Sequence, residues 1–255
     1  MTEEQPPGGA EQPLLAHLLE LRERLIKALL GVLVIFLPLT FFARDLYHFI
    51  AEPLMRLLPA GGQMIATEVA APFFTPVKLA AVVAFVLALP WVLYQVWAFV
   101  APGLYRNERR LVVPLLVSST ALFYIGVAFA YFFVLPVVFK FFVHIAPEGV
   151  AVMTDVSKYL DFVLKLFIAF GLTFETPVAI VLLCWTGFLT PQQLARRRDY
   201  VLVGCFVVAA VLTPPDIWSQ VMLAIPTYLL YELGILAAKF LVPASRQVEQ
   251  ARTTP

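Results

Sequence analysis

Charge is scarce in this sequence. Asp, Glu, Lys and Arg make up 14% of its 255 residues, where an ordinary soluble domain carries about 25%. Hydrophobic residues reach 61% and the mean hydropathy is +0.87, well above the apolar share of about 45–50% in soluble chains. That balance excludes a soluble globular domain and identifies an integral membrane protein. The net charge is only +1, so the basic surface of a nucleic-acid binder is missing. Cysteine is nearly absent: Cys184 and Cys205 lie inside apolar runs, where they act as small hydrophobes, and no CxxC or disulfide framework exists. The three histidines, His17, His48 and His144, fall outside the apolar runs, and neither HExxH nor GxSxG occurs. An intramembrane hydrolase therefore has no motif to rest on, and nothing calls for a cofactor or a metal. A basic leader is lacking as well. The opening MTEEQPPGGAEQP is acidic and rich in Pro and Gly, which predicts a disordered tail over residues 1–16 and makes the first apolar run an uncleaved signal anchor.

Long apolar runs dominate what remains. A bilayer-spanning helix needs roughly 20 predominantly apolar residues. Candidate spans cover residues 25–43, 79–100, 111–133 (with room to run on to Phe142), 160–188, 200–212 and 217–242. The fifth is short and ends at the two prolines of TPPD, Thr213–Asp216, which cannot continue a helix. It either crosses a locally thinned bilayer or is a re-entrant segment buried in protein. With six spans and the N-terminus inside, 12 of the 18 Lys and Arg residues fall on the cytoplasmic side, the excess expected there. The expected architecture is all-α: six transmembrane helices over residues 17–242, both termini cytoplasmic, and a cytoplasmic tail over 243–255. Residues 44–78 contain RDLYHFIAEPLMRLL, apolar at helical spacing, which predicts short helices on the outer surface. Pro38, Pro90, Pro114, Pro136, Pro177 and Pro226 lie in or at the ends of spans. Kinks there predict bent helices around a concave face.

The rare charges are candidates for function. HLLELRERL, His17–Leu25, precedes the first span; Leu18, Leu21 and Leu25 share a helical face, and Glu20 and Arg24 stand four apart. Glu108 sits among arginines in APGLYRNERR, Ala101–Arg110. Each carboxylate has two readings. One is a surface ion pair worth about 0–1 kcal/mol. The other is a receptor for an incoming guanidinium, held by a bidentate charge-assisted bond worth about 1.5–3 kcal/mol. Glu175 lies about midway along the fourth run. A charged group at that depth costs about 2.5–3.5 kcal/mol on insertion scales. It is either a neutral acid satisfied by a nearby Ser, Thr or backbone carbonyl, or a functional polar site. Asp216 precedes an apolar run and suits a helix cap. Asp161 and Lys165 are four apart and fit an intrahelical pair; Glu232 has no assigned role.

Four stretches in order, HLLELRERL, FVAPGLYRNERR, FGLTFETPVA and LTPPDIWSQ, resemble the TatC family, the multi-span receptor subunit of the twin-arginine protein translocase. The resemblance extends from about His17 to the end of the last span. It implies a protein of the bacterial cytoplasmic membrane that binds twin-arginine signal peptides at its cytoplasmic face. It further implies an oligomeric complex in lipid with TatA-type and TatB-type single-span partners, moving folded precursor proteins by the proton-motive force. By the same resemblance, Glu20 and Glu108 recognise the two arginines, with Arg22, Arg24 and Phe99 in the same site. Glu175 becomes a concave-side polar contact to a partner's span. Pro53 matches an outer-loop proline on a short EPL match, and Asp216 and Gln220 mark the outer tip used in assembly. The competing class is a proton-coupled secondary transporter with Glu175 as carrier, although the two halves of the chain show no internal similarity of the kind such carriers often have.

Overall fold

The structure, a computed structural model, describes residues 11–55, 64–100, 112–145, 154–212 and 217–241. Every regular element among them is helical; the sole strand-like feature is an isolated bridge between Ile65 and Asp155. The chain opens with α1 (Glu11–Leu39), which begins inside the segment expected to be a disordered tail. Pro13 is tolerated in a first helical turn, and Leu14, Leu15 and Leu18 are good helix formers. A 3-10 turn, Thr40–Phe42, follows Pro38 and leads into α2 (Ala43–Met55), the helix anticipated in the 44–78 region. Next come α3 (Ala71–Leu87) and α4 (Leu89–Val100), bent by 53° at Ala88. Then α5 (Val112–Phe129) passes through a π-turn, Ala130–Val134, into α6 (Leu135–Ile145). The rest is α7 (Val156–Phe174), α8 (Thr176–Trp185), the short α9 (Pro191–Arg196), α10 (Arg198–Leu212) and α11 (Ile217–Leu241).

Among the described residues, four helical stretches are long and apolar enough to cross a bilayer, and α3 with α4 makes a fifth if the bent pair is one span. At 15 residues, α10 is only about 22 Å long, short of the hydrocarbon core of about 30 Å.

The prolines act where they fall. Pro114 occupies the first turn of α5, where no intrahelical bond is lost, and Pro226 lies within the unbroken α11. The other kinks come with repairs. Pro90 cannot donate to the carbonyl of Val86, and the Tyr124 hydroxyl donates to that oxygen instead, at 3.0 Å. Pro177 leaves the carbonyl of Thr173, and the Thr176 hydroxyl donates to it at 2.6 Å. The widened π-turn lies just ahead of Pro136. In lipid each freed carbonyl needs such a substitute.

The centre of the molecule is α7, which buries eleven residues from Tyr159 to Phe174. It approaches α5 closely because both helices carry glycine at the crossing. A Cβ on Gly126 would stand 2.6 Å from the carbonyl oxygen of Phe170, and one on Gly171 would stand 2.6 Å from the Phe123 ring. A Cβ on Gly234 of α11 would likewise meet Ile180 of α8 at 2.7 Å. Small residues let helix backbones pack tightly where apolar burial gives no driving force.

The start of α7 is fastened by Asp155. One carboxylate oxygen caps the helix, accepting from the amides of Ser157 and Lys158 at 2.9 Å each. The other accepts from the Thr67 amide at 2.9 Å and the Thr67 hydroxyl at 2.7 Å. Ile65 adds backbone bonds to Thr154 and Val156 at 3.0 and 2.9 Å. These bonds, the Thr67 hydroxyl foremost, push the Asp155 carboxyl down from 3.8 to about 2. Nearby, Thr75 and Ser157 share a hydroxyl contact at 3.0 Å, and one helical turn further along Lys78 of α3 pairs with Asp161. The intrahelical Asp161–Lys165 pair expected from spacing is therefore replaced by a pair between helices, because α3 packs along α7 and delivers Lys78 to the carboxylate.

Two outcomes follow from these bonds. Tyr124→Phe removes the bond from α5 to the Val86 carbonyl, leaving it only the Ala88 amide, and lowers unfolding stability by about 1–2 kcal/mol, read by thermal unfolding in detergent against Tyr94→Phe. Asp155 carries a depressed folded pKa, so its contribution is complete above the ordinary carboxylate value and disappears as pH falls towards about 2. The Tm gap between wild type and Asp155→Asn is thus constant above about pH 5 and closes between about pH 4 and pH 2; a gap independent of pH would contradict the assignment.

Candidate functional site

The first candidate cluster forms where the beginning of α1 meets the end of α4. Glu20 and Arg24 stand one turn apart on α1, and the guanidinium places both Nε and Nη2 on the same carboxylate oxygen, Oε1, at 3.0 and 2.8 Å. The pair is about two-thirds or more covered, with side-chain exposures of 33% and 26%. A second intrahelical pair, Glu23–Lys27 at 2.6 Å, points to solvent, as does Arg22. One turn before Glu20, His17 stacks on Phe99, with ring centroids 4.3 Å apart and planes within 22°. Further along the seam, the Trp91 indole donates to the Lys27 carbonyl at 2.9 Å. Gly31 makes room for that ring, since a Cβ there would lie 2.3 Å from it.

Glu20 and Arg24 are thus paired, and Phe99 is stacked on His17 one helical turn away. His17 joins them without having been singled out, although its spacing of three from Glu20 was the available signal. Leu18, Leu21 and Leu25, the expected apolar face, are all exposed and point away from the rest of the chain. Glu108 lies outside the described residues.

The second cluster surrounds Glu175, which occupies the single-residue break between α7 and α8. Ser119 of α5, itself 2% exposed, donates its hydroxyl to Glu175 Oε2. Oε1 is buried without a hydrogen-bond partner among the described residues. The serine reading of the sequence is met on one oxygen only, and the other is left for something else. Thr173 and Thr176, on either side, line a cavity of about 1360 Å³ between α7 and α10.

The remaining candidates are scattered. Gln220 of α11 donates to the Phe206 carbonyl of α10 at 3.1 Å, tying the two helices below their connection. Asp216 lies outside the described residues, and Pro53 sits near the end of α2. Glu232 gains a role as a structural anchor: Arg198 grips it with Nε at 2.6 Å and Nη2 at 2.7 Å, and the Tyr228 hydroxyl donates to it at 3.2 Å.

Residues 16–226 match the protein family described as Sec-independent protein translocase protein (TatC). The chain belongs to the TatC family. It is 58% identical over 239 residues to the Escherichia coli K12 protein "Sec-independent protein translocase protein TatC", covering 94% of this chain and 93% of that one. The Haemophilus influenzae protein of the same name is 54% identical over 232 residues, covering 91% of each chain. A crystal structure described as a twin-arginine translocase receptor, TatC, superimposes with a TM-score of 0.76 at 38% identity, covering 88% of this chain and 98% of that one. As a TatC-family member the protein is a component of the Sec-independent translocase, a transport protein rather than an enzyme.

For this family member the Glu175 cluster gives a direct test. Ser119→Ala removes the one hydrogen bond that the described residues give the Glu175 carboxyl group and destabilises the chain by about 1–3 kcal/mol. Ser119→Ala combined with Glu175→Leu recovers most of that loss, because no polar group is then left unmatched. Additive losses in the double variant, read by thermal unfolding, would mean that the two side chains act independently.

Proposed function

We propose that this chain is the signal-peptide receptor of a twin-arginine translocase, with Glu20 and Glu108 each taking one arginine of the paired motif. The observation that supports this reading is the guanidinium already seated on Glu20. The carboxylate stands at the edge of the first span and is approached by Arg24 through two nitrogens, the geometry an incoming arginine would use. The internal pair is a helical i, i+4 contact worth only about 0.3–0.5 kcal/mol, so a peptide arginine offering a charge-assisted bond of about 1.5–3 kcal/mol can displace it. Phe99, stacked on His17 one helical turn from Glu20, keeps a second ring face on which a guanidinium can stack. Arg22 and Arg24 repel stray cations and keep the site selective for a ligand that brings two arginines at once.

In this reading the chain crosses the bacterial cytoplasmic membrane six times with both termini cytoplasmic, the short α10 spanning a locally thinned bilayer. The six-span domain covers residues 17–242, followed by a cytoplasmic tail over 243–255. TatA-type and TatB-type single-span subunits assemble on it, and folded precursors are moved by the proton-motive force. The free oxygen of Glu175 faces a polar group on a partner's span, and Pro53, Asp216 and Gln220 support assembly at the outer side.

The test is peptide binding by the full chain in detergent or nanodiscs. A fluorescent peptide with adjacent arginines binds, the same peptide with adjacent lysines binds more weakly, and Glu20→Ala or Glu108→Ala each lowers affinity by about 10- to 100-fold. Unchanged binding by the Glu20→Ala/Glu108→Ala double variant would sink the assignment.

A further inference from the structure

The cavity between α7 and α10 carries charge that the receptor reading does not use. On the α7 wall, Lys158, Asp161, Lys165, Ile168 and Leu172 follow one another at helical spacing, so they form one stripe along the cavity. The facing wall of α10 is apolar and open along most of its length: Val201, Val208 and Val211 line it, and the space beside Gly204 is empty to 4 Å; Tyr200 and, just before the helix, Arg197 are its polar lining residues. Asp161 is engaged by Lys78 of α3. Lys158 and Lys165 have no side-chain hydrogen bond or ion pair among the described residues. The stripe is therefore cationic at its Asp155 end and hydrocarbon beyond.

Depth decides what such a stripe can hold. The α7–α8 stretch forms a 30-residue candidate span, about 45 Å long, against a hydrocarbon core of about 30 Å. When it is centred, about five residues at each end stand among the headgroups. Lys158 then lies at headgroup level and Lys165 about 6 Å below the hydrocarbon boundary. An unpaired ammonium at that depth is costly, and its four-carbon stem lets it reach upward along the groove towards Lys158. Reaching upward in this way brings the Lys165 ammonium towards the same lip of the trough as Lys158.

We propose that this groove binds an anionic phospholipid, with the phosphate between Lys158 and Lys165 and the acyl chains along Ile168, Leu172 and Val208. A lipid places its negative charge at the headgroup level that both lysines can reach. A carboxylate on a neighbouring span would have to be buried opposite Lys165 and desolvated with it. The lower end of the trough is lined by Thr173 and Thr176, so the chain ends reach the helix break that carries Glu175.

The test uses the full-length chain in detergent, titrated with phosphatidylglycerol or phosphatidylcholine and read by native mass spectrometry. The wild type retains phosphatidylglycerol in preference to phosphatidylcholine, by about fivefold for each lysine engaged. Lys158→Gln/Lys165→Gln loses that preference, while Lys165→Arg and the distant Lys239→Gln keep it. On the unmodified chain, phosphatidylglycerol lowers amine-reactive labelling of Lys158 and Lys165 but not of Lys27, which decides the matter even if the double variant does not fold. Equal retention of the two lipids by the wild type, labelling unaffected by lipid, or displacement by inorganic phosphate alone would each overturn the proposal. So would loss of a co-purified single-span partner from Lys165→Gln with phosphatidylglycerol retention unchanged, since the groove would then hold a protein helix.

Discussion

A carbonyl that loses its amide partner inside a bilayer has no water to turn to. This constraint shapes the molecule more than any single contact. Kinked helices are possible here because hydroxyls stand where prolines have removed donors: Tyr124 for Val86, and Thr176 for Thr173. The first repair comes from a different helix, so α5 braces the bend in α3–α4. The second lies in the same turn as Glu175, which puts an acidic side chain at a break in the backbone rather than within a regular helix. The proline break and the buried carboxyl group thus share the same few residues around Pro177.

Packing completes what the repairs allow. Gly126 and Gly171 bring α5 and α7 close enough for Ser119 to reach Glu175 across the interface. At the other end of α7, Asp155 serves as helix cap and as clasp for Thr67. The connection before α3 is bonded to the start of the central helix, and Lys78–Asp161 continues the same seam.

The sequence made legible whatever depends on runs and spacing. Apolar stretches located nearly all the long helices, prolines marked the break at Ala88 and the break at Glu175, and motif order gave the family. Partners across helices were less accessible. Asp161 has a lysine four residues away and chooses another from α3, because helix packing, not sequence distance, sets which ammonium arrives. Asp155 drew no reading from the sequence, and its bond to Thr67 joins residues 88 apart. His17 looked like part of a solvated helix start until Phe99, from the far end of α4, stacked on it. The start of α1 was misjudged because Pro and acidic residues read as tail, though both are compatible with a first helical turn.

Consider finally the socket that Gly31 forms for Trp91. None of the most apolar part of the first span is buried inside the molecule; α1 lies against α3 and α4, with Trp91 seated where Gly31 lacks a side chain. Glu20 lies eleven residues away along the helix, about 16 Å. A rod of that length, pivoting by about 10°, would carry its end about 3 Å, the length of one hydrogen bond. The stacked rings of His17 and Phe99 sit at that end like a latch. The distance from that seat to Glu20 thus sets how far any tilt of α1 would displace the carboxylate.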